Sequence, residues 1–270
     1  MLRNLTLGQY VPGDSLLHRL DPRAKLVVTG GAMIALFMVH RLALLLLAGL
    51  VILLLGKSAR LSLGYLIRGL RLVWILALLT FVFNAMLTPG SPMPGLEGLP
   101  VTREGLLRGG AMAMRLFLLV LATSLLSLTT SPILLTDAVE KLLAPFRRLG
   151  VPSHELAMVS TIALRFVPTL ALETERIMKA QLARGACLDR GNPLVRARAL
   201  IPVLVPLFVS AFRHAEDLAV AMEARCYRGG EGRTRLRDLH MKAADWWGGL
   251  GGLLFLVALV GLDRWAGRFG

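Results

Sequence analysis

Polarity along this chain changes in long blocks rather than in short alternations. After a polar lead-in over 1–25, apolar residues run to Leu55, interrupted only by His40-Arg41. A membrane-spanning helix needs about 20 residues, with roughly 17 as the lower end. The run is long for one span and short for two. Burying His40-Arg41 at mid-membrane would be costly, so the stretch predicts two short helices that turn at the far membrane surface there. At the start, Asp21 is placed to cap a helix opened by Pro22. A weakly amphipathic piece with Lys57, Arg60, Arg68 and Arg71 follows, then a span over 72–87. Thr88-Pro89-Gly90-Ser91-Pro92-Met93-Pro94-Gly95 is turn chemistry and predicts an external loop. Thr102 can cap a helix that starts at Arg103, carries Gly105-x-x-x-Gly109 and continues through an apolar run over 111–128. Glycines at that spacing let two helix backbones approach closely.

The segment 131–230 breaks this pattern. Ser131-Pro132, Ser153 with Glu155 in its first turn, and Asn192-Pro193 read as helix starts. They predict helices near 132–149, 153–184 and 193–227. The last two are about 30 residues long, or about 45 Å. Pro168, Pro202 and Pro206 lie inside them and predict kinks. Their first halves are apolar, over 157–172 and 200–212. Their second halves carry Glu173, Glu175, Arg176 and Lys179, then Arg213, Glu216, Asp217 and Glu223. Glu175/Lys179 and Arg213/Asp217 are spaced to brace each helix with an ion pair. A basic, glycine-containing loop with Arg233, Arg235, Arg237 and Lys242 leads to Trp246-Trp247, a membrane-interface signature, and to a last span over 248–262. The fold class is therefore all-α and polytopic. About four spans fall in 1–130, a block of long amphipathic helices in 131–230, and a basic loop with a fifth span in 231–270.

Composition sharpens this reading. Of the 270 residues, 55% are hydrophobic, and the mean hydropathy is +0.64. The formal net charge of +14 would suggest nucleic acid in a soluble chain. Here it fits the gathering of Lys and Arg in cytoplasmic loops, and no basic patch is studded with aromatics. The bias of basic residues puts the N-terminus and the central helices in the cytoplasm, and five spans send the C-terminus outside. Cys187 and Cys226 form no C-x-x-C, and the five histidines never fall at metal-ligand spacing. No signal peptide is expected, because 1–25 is too polar.

Chemistry is sparse. Gly56-Lys57-Ser58 ends like a phosphate loop, but the position five before Gly56 is Val51, not glycine. No nucleophile elbow, zinc-protease motif or convergent acid pair is present, so neither catalysis nor a cofactor is expected. Glu173/Glu175 and Glu216/Asp217 read as helix-face charges. Asn84 and Arg115, near membrane ends, read as groups that snorkel or hydrogen-bond between helices, with a path lining as the alternative.

The two longest helices end alike, with Ala183-Arg184-Gly185 and Ala224-Arg225-Cys226. An arginine near a helix C-terminus is favoured by the macrodipole at roughly 0.3–1 kcal/mol, and a glycine after it suits the cap. Capping alone does not require the same alanine before each arginine. A guanidinium on a helix tip is also a good bidentate partner for carboxylates.

These endings resemble those of the transmembrane T component (EcfT) of energy-coupling-factor transporters, in the wider CbiQ family. The resemblance extends through Leu20-Asp21-Pro22-Arg23, Thr129-Thr130-Ser131-Pro132, Ala163-Leu164-Arg165-Phe166-Val167-Pro168, Ala180-Gln181-Leu182-Ala183-Arg184-Gly185 and Ala221-Met222-Glu223-Ala224-Arg225. Cys226 stands where glycine is often found. The resemblance implies a scaffold in the cell membrane of a prokaryote, part of an importer for vitamins or other micronutrients. Two ABC-type ATPases would dock on Ala183, Arg184 and Gly185 and on Ala224, Arg225 and Cys226. A separate membrane subunit that captures the substrate would dock on apolar positions such as Leu164, Phe166, Val167, Leu204, Leu207 and Phe208. Tyr10-Val11-Pro12-Gly13-Asp14-Ser15 resembles the group whose scaffold serves several such subunits. A dedicated cobalt or nickel importer subunit, a stand-alone carrier and a membrane enzyme are the competing expectations.

Overall fold

The computed structural model describes residues 10–59, 63–91, 102–149, 152–186, 192–229 and 241–267. Arg3, Arg60, Pro92 to Gly95, Cys187, Arg233, Arg235, Arg237, His240 and Arg268 lie outside the described residues, and the side chains of Arg68 and Arg71 are not described. The elements are α1 (Leu16–Arg19), α2 (Pro22–Met38), α3 (Leu42–Ser58), α4 (Leu63–Leu87), α5 (Arg103–Thr129), α6 (Pro132–Leu143), a 3₁₀ turn (Ala144–Leu149), α7 (Ser153–Ala183), α8 (Pro193–Ala224) and α9 (Ala243–Gly267). The protein is an all-α, polytopic membrane protein. The helices at Arg103–Thr129, His154–Ala183, Arg198–Ala224 and Ala243–Ala266 are long and apolar enough to cross a membrane, and Leu42–Ser58 and Val73–Leu87 are shorter apolar helices.

Two compact units emerge, one over 8–138 with 238–270, the other within 139–237. The first holds α1 to α5 and α9. The break predicted at His40-Arg41 is present between α2 and α3, and a residue from far along the chain holds it. Asp263 of α9, 8% exposed, accepts from the backbone N–H groups of His40 at 3.2 Å and Arg41 at 3.1 Å. Free N–H groups at a helix start need such a partner. Asp245 does similar work at the other end of α9, accepting from the N–H of Asp21 at 2.9 Å and of Lys242 at 2.8 Å. Both carboxylates are inside α9, so that helix begins before and ends after the span expected over 248–262. The expected cap at Asp21 is present, its Oδ1 accepting from the Arg23 N–H at 2.9 Å.

Close backbone approach fixes the packing of α4 on α5. A Cβ at Gly105 would lie 2.7 Å from the Asn84 carbonyl oxygen, and one at Gly109 would lie 2.9 Å from that of Phe81. The predicted Thr102 cap is present, accepting from the Gly105 N–H at 3.1 Å. Leu36, Val39, Leu45, Leu118, Leu128 and Leu259 form the buried centre, while Trp74, Ile75, Leu79 and Val257 point outward, as a lipid-facing surface requires. Arg115 hydrogen-bonds between helices, one of the two roles expected of it. Its Nε donates to the Leu36 carbonyl at 2.9 Å and a terminal nitrogen to that of Val39 at 2.7 Å, closing the C-terminal end of α2. Asn84 bonds its own helix, donating to the Thr80 carbonyl at 2.8 Å.

Several boundaries differ from the sequence expectation. The helix expected over 132–149 stops at Leu143 and tightens into the 3₁₀ turn, because Pro145 lacks the N–H that would extend it. Arg68 and Arg71 belong to α4 rather than to a separate amphipathic piece. Ser153 is the first helical residue; Pro152 takes the cap position, with no side-chain hydrogen bond.

Candidate functional site

The second unit is organised by α7 and α8, which lie antiparallel. Four contacts keep one register along the pair. The Tyr227 hydroxyl donates to the Met158 sulfur at 2.9 Å. The rings of Phe166 and His214 sit 5.9 Å apart. The Ser210 hydroxyl donates to Glu173 Oε1 at 2.5 Å. The Gln181 amide donates to the Pro202 carbonyl at 3.2 Å. Pro206 has no N–H to offer that carbonyl, so Gln181 meets a need that the helix itself creates. At the centre, His214 Nδ1 also stands 3.5 Å from the Ser210 oxygen and 4.0 Å from Glu173 Oε2.

This register bears on the membrane. The apolar half of α7 lies beside the charged half of α8, and the apolar half of α8 beside the charged half of α7. If α7 crossed a bilayer, its partner would carry Arg213, Glu216, Asp217 and Glu223 to the same depth, at a cost of several kcal/mol. Length and composition alone admit both helices as spans; their pairing argues against it.

The two helix ends have one geometry. Arg184 is the C-cap of α7, with φ −83° and ψ 5°; Arg225 is the C-cap of α8, with φ −92° and ψ 13°. Past Arg184, the Gly185 N–H donates to the Leu182 carbonyl at 3.0 Å and the Ala186 N–H to that of Gln181 at 3.0 Å. Past Arg225, the Cys226 N–H donates to the Glu223 carbonyl at 2.8 Å and the Tyr227 N–H to that of Met222 at 3.0 Å. Both are Schellman endings, which need a left-handed residue after the cap. Gly185 takes that conformation at φ 86°, and Cys226 takes it at φ 56°, the one positive φ outside glycine among the described residues. The likeness of the two tripeptides in sequence thus extends to their backbone conformation.

Ala183, Arg184, Gly185, Ala224, Arg225 and Cys226 are all exposed, so each arginine stands uncovered at a helix tip. Register places Arg225 beside Met158, and 1.5 Å per residue from there to Arg184 separates the tips by about 40 Å. The structure therefore brings the two motifs to opposite ends of one element rather than to one site. Among the apolar candidates, Val167 (45% exposed), Leu204 (45%) and Phe208 (62%) are exposed, whereas Leu164, Phe166 and Leu207 are half-buried. The expected Glu175/Lys179 ion pair forms at 2.9 Å. The hydrogen bond and charge of Lys179 hold the Glu175 carboxyl below its ordinary value. Among the described residues no ion pair joins Arg213 to Asp217.

What these features define is a polytopic helical membrane protein that presents two matched arginine-ended helices. Residues 13–236 match the family model described as CbiQ, cobalt transport protein. The chain is 52% identical over 244 residues to an energy-coupling factor transporter transmembrane protein of Thermosediminibacter oceani, covering 90% of this chain and 92% of that one. A protein of the same name from Acidaminococcus fermentans is 50% identical over 267 residues, covering 98% of each. One from Clostridium kluyveri is 48% identical over 271 residues, covering 99% of this chain and all of that one. The chain belongs to the CbiQ family, in its group of energy-coupling factor transporter transmembrane proteins.

Proposed function

We propose that this chain is the membrane scaffold of an energy-coupling-factor importer for vitamins or other micronutrients in the cell membrane of a prokaryote. The equivalence of the Arg184 and Arg225 endings, exposed at opposite ends of one helix pair, carries this reading. Each tip docks one ABC-type ATPase, Ala183, Arg184 and Gly185 on one and Ala224, Arg225 and Cys226 on the other. Losing one side of a buried charge pair costs about 2–5 kcal/mol, enough for a single arginine to decide whether a subunit stays bound. The apolar halves of α7 and α8, with Leu164, Phe166, Val167, Leu204, Leu207 and Phe208, hold a small membrane subunit that captures the substrate.

In this reading α7 and α8 lie on the cytoplasmic side, as does the N-terminus. The partners hydrolyse ATP, and this chain performs no chemistry. Closure of the ATPase pair shifts α7 against α8. The Glu173, Ser210 and His214 cluster lies where that motion is felt. The bound subunit then tips and releases its cargo inside.

Reconstitution in vesicles tests the function. Uptake is expected only when both ATPases, the substrate-binding subunit and this chain are present with ATP. Substrate uptake by this chain alone would instead make it a carrier.

A further inference from the structure

A pocket of about 720 Å³ opens where α2 turns into α3, against one face of α5. The turn contributes His40 and Arg41; α5 contributes Leu107, Arg108, Met112 and Arg115. Positions 108 and 115 are two helical turns apart and share a face. Three guanidinium groups thus line one cavity, and the nearby carboxylates are committed elsewhere. Asp263 accepts from the His40 and Arg41 N–H groups, with His40 Nδ1 at 3.6 Å. Glu104, one turn before Arg108 on α5, is engaged by Ser91, whose N–H donates at 2.8 Å and hydroxyl at 2.9 Å.

The cations differ in how they are held. Arg115 uses Nε and one terminal nitrogen on the Leu36 and Val39 carbonyls, which fixes its plane. Arg41 donates to the Ala266 carbonyl. Arg108 is exposed and makes no hydrogen bond or ion pair among the described residues. Two anchored guanidinium groups and one uncommitted one, beside the apolar Leu107 and Met112, suit a ligand that is anionic at one end and greasy at the other. Arginine forks match phosphate oxygens.

We propose that this pocket binds the phosphate of an anionic phospholipid. Arg41, Arg108 and Arg115 are the phosphate's partners, and Leu107 and Met112 face the first carbons of the glycerol and acyl chains. A zwitterionic lipid is disfavoured because its own ammonium meets the same cations.

The test uses the full chain in dodecyl maltoside, titrated separately with dioctanoyl phosphatidylglycerol, dioctanoyl phosphatidylcholine and inorganic phosphate, with bound ligand counted by native mass spectrometry. Saturable binding of the glycerol lipid is expected, weakened about tenfold by Arg108→Gln, since a hydrogen bond to a charged group is lost. Arg108→Lys recovers part of it. Lys57→Gln, a charge removed at the other end of α3, leaves it unchanged. Equal binding of phosphatidylcholine, an equal loss in Lys57→Gln, or inorganic phosphate matching the lipid at equal concentration would overturn the assignment.

Discussion

The side-chain amide of Gln181 donates to the carbonyl of Pro202 at 3.2 Å, across the gap between α7 and α8. A proline at 206 removes the donor that carbonyl would otherwise have, and a glutamine three residues before Arg184 replaces it. Gln181→Ala is expected to weaken the α7–α8 pairing by about 0.5–1.5 kcal/mol, the net worth of one such bond. Amide hydrogen exchange in α8 checks this. Exchange should quicken around residues 200–206 and stay unchanged in α5.

The two helix ends predict opposite responses to similar changes. Gly185→Ala forces a side chain into the left-handed region and should cost about 1 kcal/mol. Cys226→Gly relieves the same strain and should be neutral or stabilising by a few tenths of a kcal/mol. Cys226→Val, β-branched at positive φ, should cost more than 1 kcal/mol. Thermal unfolding of the purified chain ranks the three variants.

Gly105 and Gly109 press against carbonyl oxygens of α4, whereas a Cβ at Gly110 would meet nothing within 4 Å. Gly105→Ala and Gly109→Ala are therefore expected to destabilise the chain by about 1–3 kcal/mol through overpacking, and Gly110→Ala to leave it unchanged or slightly more stable. The contrast is read in detergent by the unfolding midpoint. Equal effects at 109 and 110 would mean that α4 and α5 do not pack as described.

The antiparallel register also predicts topology. If α7 and α8 lie along one membrane face, Arg184→Cys and Arg225→Cys should react with an impermeant thiol reagent from the same side of the membrane. The background would carry Cys187→Ser and Cys226→Gly. Labelling from opposite sides would mean that the pair crosses the bilayer as a hairpin.

Much of this protein was legible in its residues. Polarity blocks, Asp21-Pro22, Thr102 and the Gly105/Gly109 spacing reported the helices and one tight packing, because each acts within a few residues or one helix face. Long-range partners left no comparable mark. Asp245 and Asp263 lie just outside the span read over 248–262, yet each satisfies backbone donors from much earlier in the chain. Their signal was slight: single acids flanking an otherwise apolar span. Arg115 could be expected to bond between helices, but its partners, the Leu36 and Val39 carbonyls, could not. The paired endings of α7 and α8 were visible as tripeptides. Their placement at opposite ends depends on the α7–α8 register, set by Met158, Phe166, Glu173 and Gln181 meeting residues 21 to 69 positions away.

The number of ATPase subunits that the chain retains tests the docking role of its two arginines most directly. Wild type, Arg184→Glu, Arg225→Glu and the double variant would each be co-expressed with both ATPases and weighed by native mass spectrometry. Two bound ATPases are expected for wild type, a depleted complex with a different subunit weakened in each single variant, and none in the double variant. Retention of both ATPases at wild-type yield by the double variant would contradict the docking role of the two arginines.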